Sequence, residues 1–425
     1  MTDEGGATPA PRGPGTARTA VVVIVGTFGL QALTTVTGIV TARILGVEGR
    51  GVVALVFALS LLASQLTFGG SLPTALAKNI AERRVATRDG LRGIVRRRGW
   101  LVLIPAVAVA GGLAWLSRDD PSTDTVAVAA IVLVLTLQTI ASRLLIAALQ
   151  GEINALERMV VVALVPHALY VLVLGTVWVA GWSWSPEAVL AAFIGVSTVG
   201  LLVAVLALAP PTGRAEDALD ESRLWTDARQ TYVSSVRPLD SIGLDRILVG
   251  GLLGNAALGL YASAIAVANL CGIVGNAVAI IVLPQVARSH DDPAAQRAVA
   301  RRWIGLTVVF VALVVVALQV VVEPVIRLAF GEEFVGAVEV ARWLIVADGF
   351  FGVRKVLIAV LQGQGRGTTA SWIELALTPV LAAGIVVASL ADELPAVGMS
   401  MVVVAVLSCL ALGVAVRRTP RVVSS

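Results

Sequence analysis

The chain has 425 residues, 57% of them hydrophobic and only 14% charged, with a formal net charge of +4. A soluble domain of this length carries about 25% charged residues, so a water-soluble globular protein is excluded and a bilayer-embedded one is expected. No nucleic-acid partner is expected either.

The first eighteen residues, rich in Gly, Pro and Thr, are expected to be a disordered cytoplasmic tail. A spanning helix needs about 20 apolar residues. Twelve such segments follow, at roughly 20–42, 52–73, 100–117, 126–148, 159–181, 187–209, 231–253, 258–285, 303–322, 340–362, 370–390 and 395–416. The first is too long for a signal-peptide core and no cleavage site follows it, so it is expected to stay as a spanning helix. A polar, Pro-led link at 210–230 separates an N-lobe (19–209) from a C-lobe (231–425). The predicted fold class is an all-α polytopic membrane protein of about twelve helices in two six-helix lobes.

Basic residues orient the chain. With the N-terminus in the cytoplasm, inner segments hold 22 of the 32 Lys and Arg residues. The outer connections are acidic, as at Asp119, Asp120, Glu332 and Glu333. Both termini are therefore expected on the cytoplasmic side of the membrane. Ala75–Arg98, with eight basic and two acidic residues, is expected to form an interfacial helix on the anionic inner leaflet. Trp182 and Trp184 fit an aromatic belt.

The two halves resemble each other. Leu145–Gly151 reads LIAALQG and Leu357–Gly363 reads LIAVLQG, an offset of 212; Arg143 and Lys355 precede them, and Pro166 and Pro379 follow. Arg43–Ser60 aligns with Ile247–Ala266 when Gly51 is matched to Gly259, an offset of 208. Six helices per copy is an even number, so both copies enter the membrane the same way. Their twofold should run along the membrane normal, with a cavity between the lobes.

Catalysis and direct use of ATP are disfavoured. The outer loops are too short for a glycosyltransferase or polymerase surface, and neither lysine sits in a GxxxxGK[ST] loop. His167 and His290 stand alone and read as structural, and Cys271 and Cys409 read as packing residues. No metal or cofactor is expected.

An ionisable group at the bilayer centre costs about 2.5–3.5 kcal/mol on insertion scales, so each needs a reason. The seventh segment carries Arg237, Asp240, Asp245 and Arg246, with Pro238 among them. Arg143 lies on the fourth segment, Arg342, Asp348, Arg354 and Lys355 on the tenth, and Glu374 on the eleventh; Arg43 ends the first. Arg246, Arg237, Arg43, Arg143 and Lys355 are the candidates for binding a lipid-linked diphosphate, because guanidinium groups are always charged and meet phosphoryl oxygens two at a time. Asp240, Asp245, Asp348 and Glu374 are the candidates for ion coupling. The opposing reading has Arg237–Asp240 and Arg246–Asp348 as structural pairs, with Arg143, Arg354 and Lys355 snorkelling to the interface.

Asp245–Leu270 (DRILVGGLLGNAALGLYASAIAVANL) and Leu283–Arg288 (LPQVAR) resemble the seventh and eighth helices of the polysaccharide-export members of the multidrug/oligosaccharidyl-lipid/polysaccharide (MOP) flippase superfamily. The matching residues are Asp245, Arg246, Gly259, Tyr261, Ala262, Ala264 and Pro284, and Ala42–Leu55 looks like the end of the family's first helix. The resemblance implies a MATE-like six-plus-six bundle and an alternating-access flippase for oligosaccharides on undecaprenyl diphosphate. Related lipid II flippases usually carry two further C-terminal helices, and drug exporters carry acidic residues in the first lobe; neither feature is expected here. The expected partners are the lipid-linked glycan, membrane lipids and a glycan polymerase or glycosyltransferases. The rival readings are a cation-coupled drug or small-molecule exporter of the same fold and a non-transporting scaffold for glycan synthesis.

Overall fold

In the computed structural model the described residues are 14–67, 70–83, 91, 94, 100–116, 125–152, 156–208, 221–235, 239, 243–289, 292–391 and 393–417. Among them are twelve α-helices and no strand. These are α1 Pro14–Leu66, α2 Ser71–Arg83, α3 Trp100–Leu116, α4 Thr125–Gly151, α5 Leu156–Val179, α6 Pro186–Ala207, α7 Glu221–Ser235, α8 Leu244–Arg288, α9 Pro293–Ala329, α10 Ala337–Gly363, α11 Gly367–Leu390 and α12 Leu394–Arg417.

Two of these helices are long because each joins two expected segments across one non-helical residue. In α1 that residue is Gly46 (φ 67°, ψ −171°), and in α8 it is Gly254 (φ 83°, ψ 176°). Only glycine adopts this region freely. The two breaks are 208 residues apart, the spacing that matches Gly51 to Gly259. Eight helical stretches are long and apolar enough to cross a membrane; α1 and α8 each contain a break of this kind. Large apolar side chains such as Leu306, Val309, Phe310, Leu313, Val316 and Val320 of α9 are exposed, as a lipid-facing helix requires.

The duplication is visible in the contacts as well as the sequence. α4 and α10 both contain 27 residues and begin and end 212 positions apart. The terminal Gly151 of α4 abuts the Ala77 carbonyl and Ile80, while the terminal Gly363 of α10 abuts the Leu283 carbonyl and Val286. Arg158 donates to the Ala207 carbonyl at 3.2 Å, and Arg366 donates to the Ala415 carbonyl at 2.8 Å. Donor and acceptor are each displaced by 208. Each arginine thus ties the basic-end turn of one helix to the last turn of its neighbour, where cations favour exposed carbonyls.

The apolar cores largely segregate by half. One core is built from α8 to α12 with Ala42 and Ala54 of α1; two others come from α2, α4, α5, α6 and α7 and from α1, α4, α5 and α6. The halves meet chiefly where α1 packs along α8.

Two expectations need correction, and the link between the lobes carries a helix. The seventh segment is not one helix over 231–253. α7 is described over Glu221–Ser235, and α8 starts at Leu244 after Gly243 in the left-handed region (φ 67°, ψ 31°), which interrupts any helix running through 231–253. The link expected at 210–230 carries α7 from Glu221, whose Leu224, Trp225 and Ala228 are buried against the first half. Among the described residues of the Ala75–Arg98 stretch, the apolar side chains Leu76, Ile80 and Ile94 are buried against protein rather than presented to lipid.

Candidate functional site

At the Gly46/Gly254 end the two halves touch backbone to backbone. A Cβ added to Gly51 would lie 1.8 Å from the Asn255 carbonyl oxygen, and one added to Gly259 would lie 1.9 Å from the Val47 carbonyl oxygen. No other residue type fits either position without separating the chains. This reciprocal contact closes one end of the space between the halves.

Beyond the contact the space widens into a central cavity of about 300 Å³, lined among others by Gln31, Arg50, His167, Tyr170, Arg246 and Asn269. Its described lining holds two arginines and no carboxylate. Arg50 comes from just after the α1 break. Its Nη2 sits 3.1 Å from where a Cβ on Gly38 would be, so Gly38 makes room for it. Position 38 is the repeat counterpart of Arg246. The space that a side chain at 38 would fill is taken by the Arg50 guanidinium, and each half thereby presents one arginine to the cavity. Arg50 Nε is buried and has no hydrogen-bond partner among the described residues.

The facing wall is stiff. Buried Tyr170 donates its hydroxyl to the Val189 carbonyl at 3.1 Å and packs edge-on against Phe193, ring centroids 5.0 Å apart; Phe193 packs edge-on against Phe57 at 4.9 Å. His167 Nδ1 lies 3.0 Å from the Ala163 carbonyl. A carbonyl only accepts, so Nδ1 carries the proton and Nε2 is the nitrogen left to face the cavity.

Two chambers adjoin this cavity. One, of about 190 Å³ in the second half, is lined by Gly243, Asp245, Arg246, Asn269, Asp348 and Lys355, and shares Arg246 and Asn269 with the central cavity. Asp245 accepts a hydrogen bond from buried Tyr261 at 2.9 Å, and Asp348 accepts one from the Gly272 amide at 2.8 Å. Lys355 Nζ and Asp348 Oδ2 lie 3.2 and 3.0 Å from a Cβ position on Gly272, so the bare glycine lets both reach the same spot. The other chamber, of about 270 Å³ in the first half, includes Gln138, Ser142, Arg143 and Ser197, and shares His167 and Phe193 with the central cavity.

The predicted site residues thus separate. Arg246 lines the central cavity, Lys355 the second-half chamber and Arg143 the first-half chamber. Arg43 is used elsewhere: its Nε donates to the Ala329 carbonyl at 2.8 Å and its Nη2 to Leu328, closing the end of α9. Arg237 and Asp240 lie outside the described residues. Of the carboxylates, Asp245 and Asp348 line the second-half chamber, whereas Glu374 forms a fully buried ion pair with Arg354. Arg354 therefore does not snorkel. Sequence reasoning missed Arg50, Tyr170 and Asn269, and it set His167 aside. The signal for Arg50 was its place beside Gly51, the anchor of the repeat match.

A duplicated helical bundle enclosing a charged cavity between its halves is the architecture of a MATE-like membrane transporter. The solved structures agree on the fold. An inward-facing multidrug resistance MATE family transporter of the MOP superfamily superposes with a TM-score of 0.70, covering 91% of this chain and 94% of that one at 14% identity. The lipid II flippase MurJ in an inward closed conformation gives 0.63, covering 94% and 88% at 12% identity. A MOP superfamily transporter from Pyrococcus furiosus gives 0.56, covering 95% and 96% at 14% identity. No curated protein matches the chain. The family model described as "Polysaccharide biosynthesis protein" matches residues 40–339. The chain belongs to that family, a flippase family of the MOP superfamily.

Proposed function

We propose that the protein flips a polyprenyl-diphosphate-linked oligosaccharide across the bacterial plasma membrane for surface polysaccharide assembly, by alternating access between the lobes 19–209 and 231–425. The observation carrying this reading is the pair Arg50 and Arg246 in one cavity whose described lining has no carboxylate. Two guanidiniums in a site of reduced polarity match the two phosphoryl groups of a diphosphate, and each charge-assisted contact contributes roughly 1.5–3 kcal/mol. Arg43 has no part in this assignment. Lys355 and Arg143 serve as further cationic stations in the adjoining chambers.

A slot between α1 and α8, lined by Thr27, Phe28, Ile273, Ala277 and Ile280, offers the prenyl tail a path that stays in lipid. The glycan crosses in the polar cavity while the Gly51–Gly259 contact holds the far end shut. Positive-inside orientation puts the α2–α7 end and both termini in the cytoplasm. Asp245 and Asp348, which share a chamber with Arg246, are the groups we assign to ion coupling. They are also what favours the second reading, a cation-coupled exporter of small molecules. It predicts that Asp348→Asn abolishes drug resistance and leaves surface glycan intact.

The test is export of surface glycan in a deletion strain complemented with Arg50→Ala or Arg246→Ala at matched membrane levels. Each variant should lose at least tenfold in export, and Arg→Lys at either position should restore part of it. Full export in both alanine variants rejects the diphosphate role.

A further inference from the structure

We infer that the first-half chamber behind His167 and Phe193 is a carbohydrate subsite that receives the sugar next to the diphosphate, with Gln138 as a residue that selects for it. The inference rests on the flippase reading above and adds where the glycan is recognised.

The argument begins with one atom. Gln138 Nε2 donates to the Ile194 carbonyl at 3.0 Å and contacts Thr198 Oγ1 at 2.9 Å. A carbonyl accepts only, so the nitrogen end of the amide is fixed on α6 and the oxygen end is fixed as the other terminus. That oxygen, Oε1, is buried and has no hydrogen-bond partner among the described residues. A buried acceptor without a donor costs about 1–3 kcal/mol. A ligand that brings an O–H or N–H would recover this; a phosphate ionised at neutral pH brings neither.

The surroundings agree. The chamber's polar wall is Gln138, Thr139, Ser142, Ser197 and His167, a mixture of donors and acceptors with Arg143 as its single formal charge. Hydroxyls and N-acetyl groups need such a mixture, whereas a diphosphate needs cations, which the neighbouring cavity supplies twice over. Phe193 contributes an apolar face between the two spaces, and the C–H face of a pyranose packs on aromatic rings of this kind.

The duplication sharpens the case. Through the 212 offset, Gln138, Thr139 and Ser142 correspond to Phe350, Phe351 and Arg354 in the second half. There the arginine is paired with Glu374 and lies over the Phe351 ring. Packing on its own has produced an apolar, ion-paired solution at these positions. The polar version in the first half is a departure that packing does not require.

The experiment uses the full chain in nanodiscs and measures binding of farnesyl diphosphate and of the same lipid carrying one glucose, galactose or N-acetylglucosamine. For the wild type at least one glycosylated probe should bind about tenfold tighter than bare farnesyl diphosphate. Gln138→Leu should abolish that gain and leave farnesyl diphosphate binding unchanged, and Ser197→Val should reduce the gain independently. Arg50→Ala should weaken all probes, which reports on the diphosphate reading separately. The subsite is overturned if no sugar improves binding, if the gain survives in both Gln138→Leu and Ser197→Val, or if Gln138→Leu weakens bare and glycosylated probes alike.

Discussion

Gly51 and Gly259 face each other across the boundary between the halves, each so close to the other half's backbone that a Cβ would overlap a carbonyl oxygen, at 1.8 Å from Asn255 and 1.9 Å from Val47. Neither neighbour is a side chain that can rotate away. Gly51→Val or Gly259→Val must therefore part the halves at this end. In a background lacking Cys271 and Cys409, spin labels at Glu48 and Leu252 should show a longer, broader distance distribution in either variant than in the parent. An unchanged distribution would mean that this contact does not hold the end closed.

Arg354 and Glu374 are both fully buried and ion-paired between α10 and α11. Removing one partner strands the other charge, at a cost of about 3–5 kcal/mol, whereas an apolar pair of similar volume is often neutral. Arg354→Met alone should lower the thermal midpoint sharply, and adding Glu374→Leu should restore most of it. Additive losses in this double-mutant cycle would show that the two charges are not coupled.

Arg43 and Arg50 are seven residues apart on α1 and should behave in opposite ways. Arg43→Ala removes two hydrogen bonds to the end of α9, worth about 1–2 kcal/mol together in an exposed setting. It should shift thermal stability and leave farnesyl diphosphate affinity alone. Arg50→Ala should weaken affinity by tenfold or more with little change in stability. Measuring both properties on both variants separates the roles, and an affinity loss in Arg43→Ala would return that residue to the site.

Asp227 of α7 meets Lys78 at 3.6 Å and Asn79 at 3.1 Å on α2, and α7 also reaches α11 of the second half. Lys78 is half exposed, so the pair contributes only about 0.5–1 kcal/mol. Asp227→Ala should raise hydrogen exchange across 221–235 roughly fivefold while exchange in α4 stays unchanged. Unchanged exchange in α7 would place its docking entirely on Leu224 and Trp225.

The fold was legible because a bilayer forces a simple code. Apolar run length gave most of the spans, and the repeat match around Gly51 and Gly259 landed on two glycines packed directly on the other half's backbone. The 208 spacing also holds for Gly46 with Gly254 and for Arg158 with Arg366, which sequence reasoning did not single out. What stayed hidden was three-dimensional. The break at Gly46 carries Arg50 into a cavity although its sequence context reads as an outer loop. Arg43 has a long enough side chain to leave its helix and bind α9. Arg354 and Glu374 read as a snorkelling cation and an isolated acid because partners twenty residues apart on different helices leave no local pattern. The seventh segment failed for a local reason, since hydropathy averaging passed over Gly243.

The barrier at the Gly46/Gly254 end is made of main chain, and its two glycines contribute no functional group of their own. The chambers are made of side chains. Under the function proposed above, substitutions at Gln138, Ser197 or Lys355 would alter which cargo is accepted without rebuilding that barrier, so the interior could diversify while the main-chain contact stayed the same.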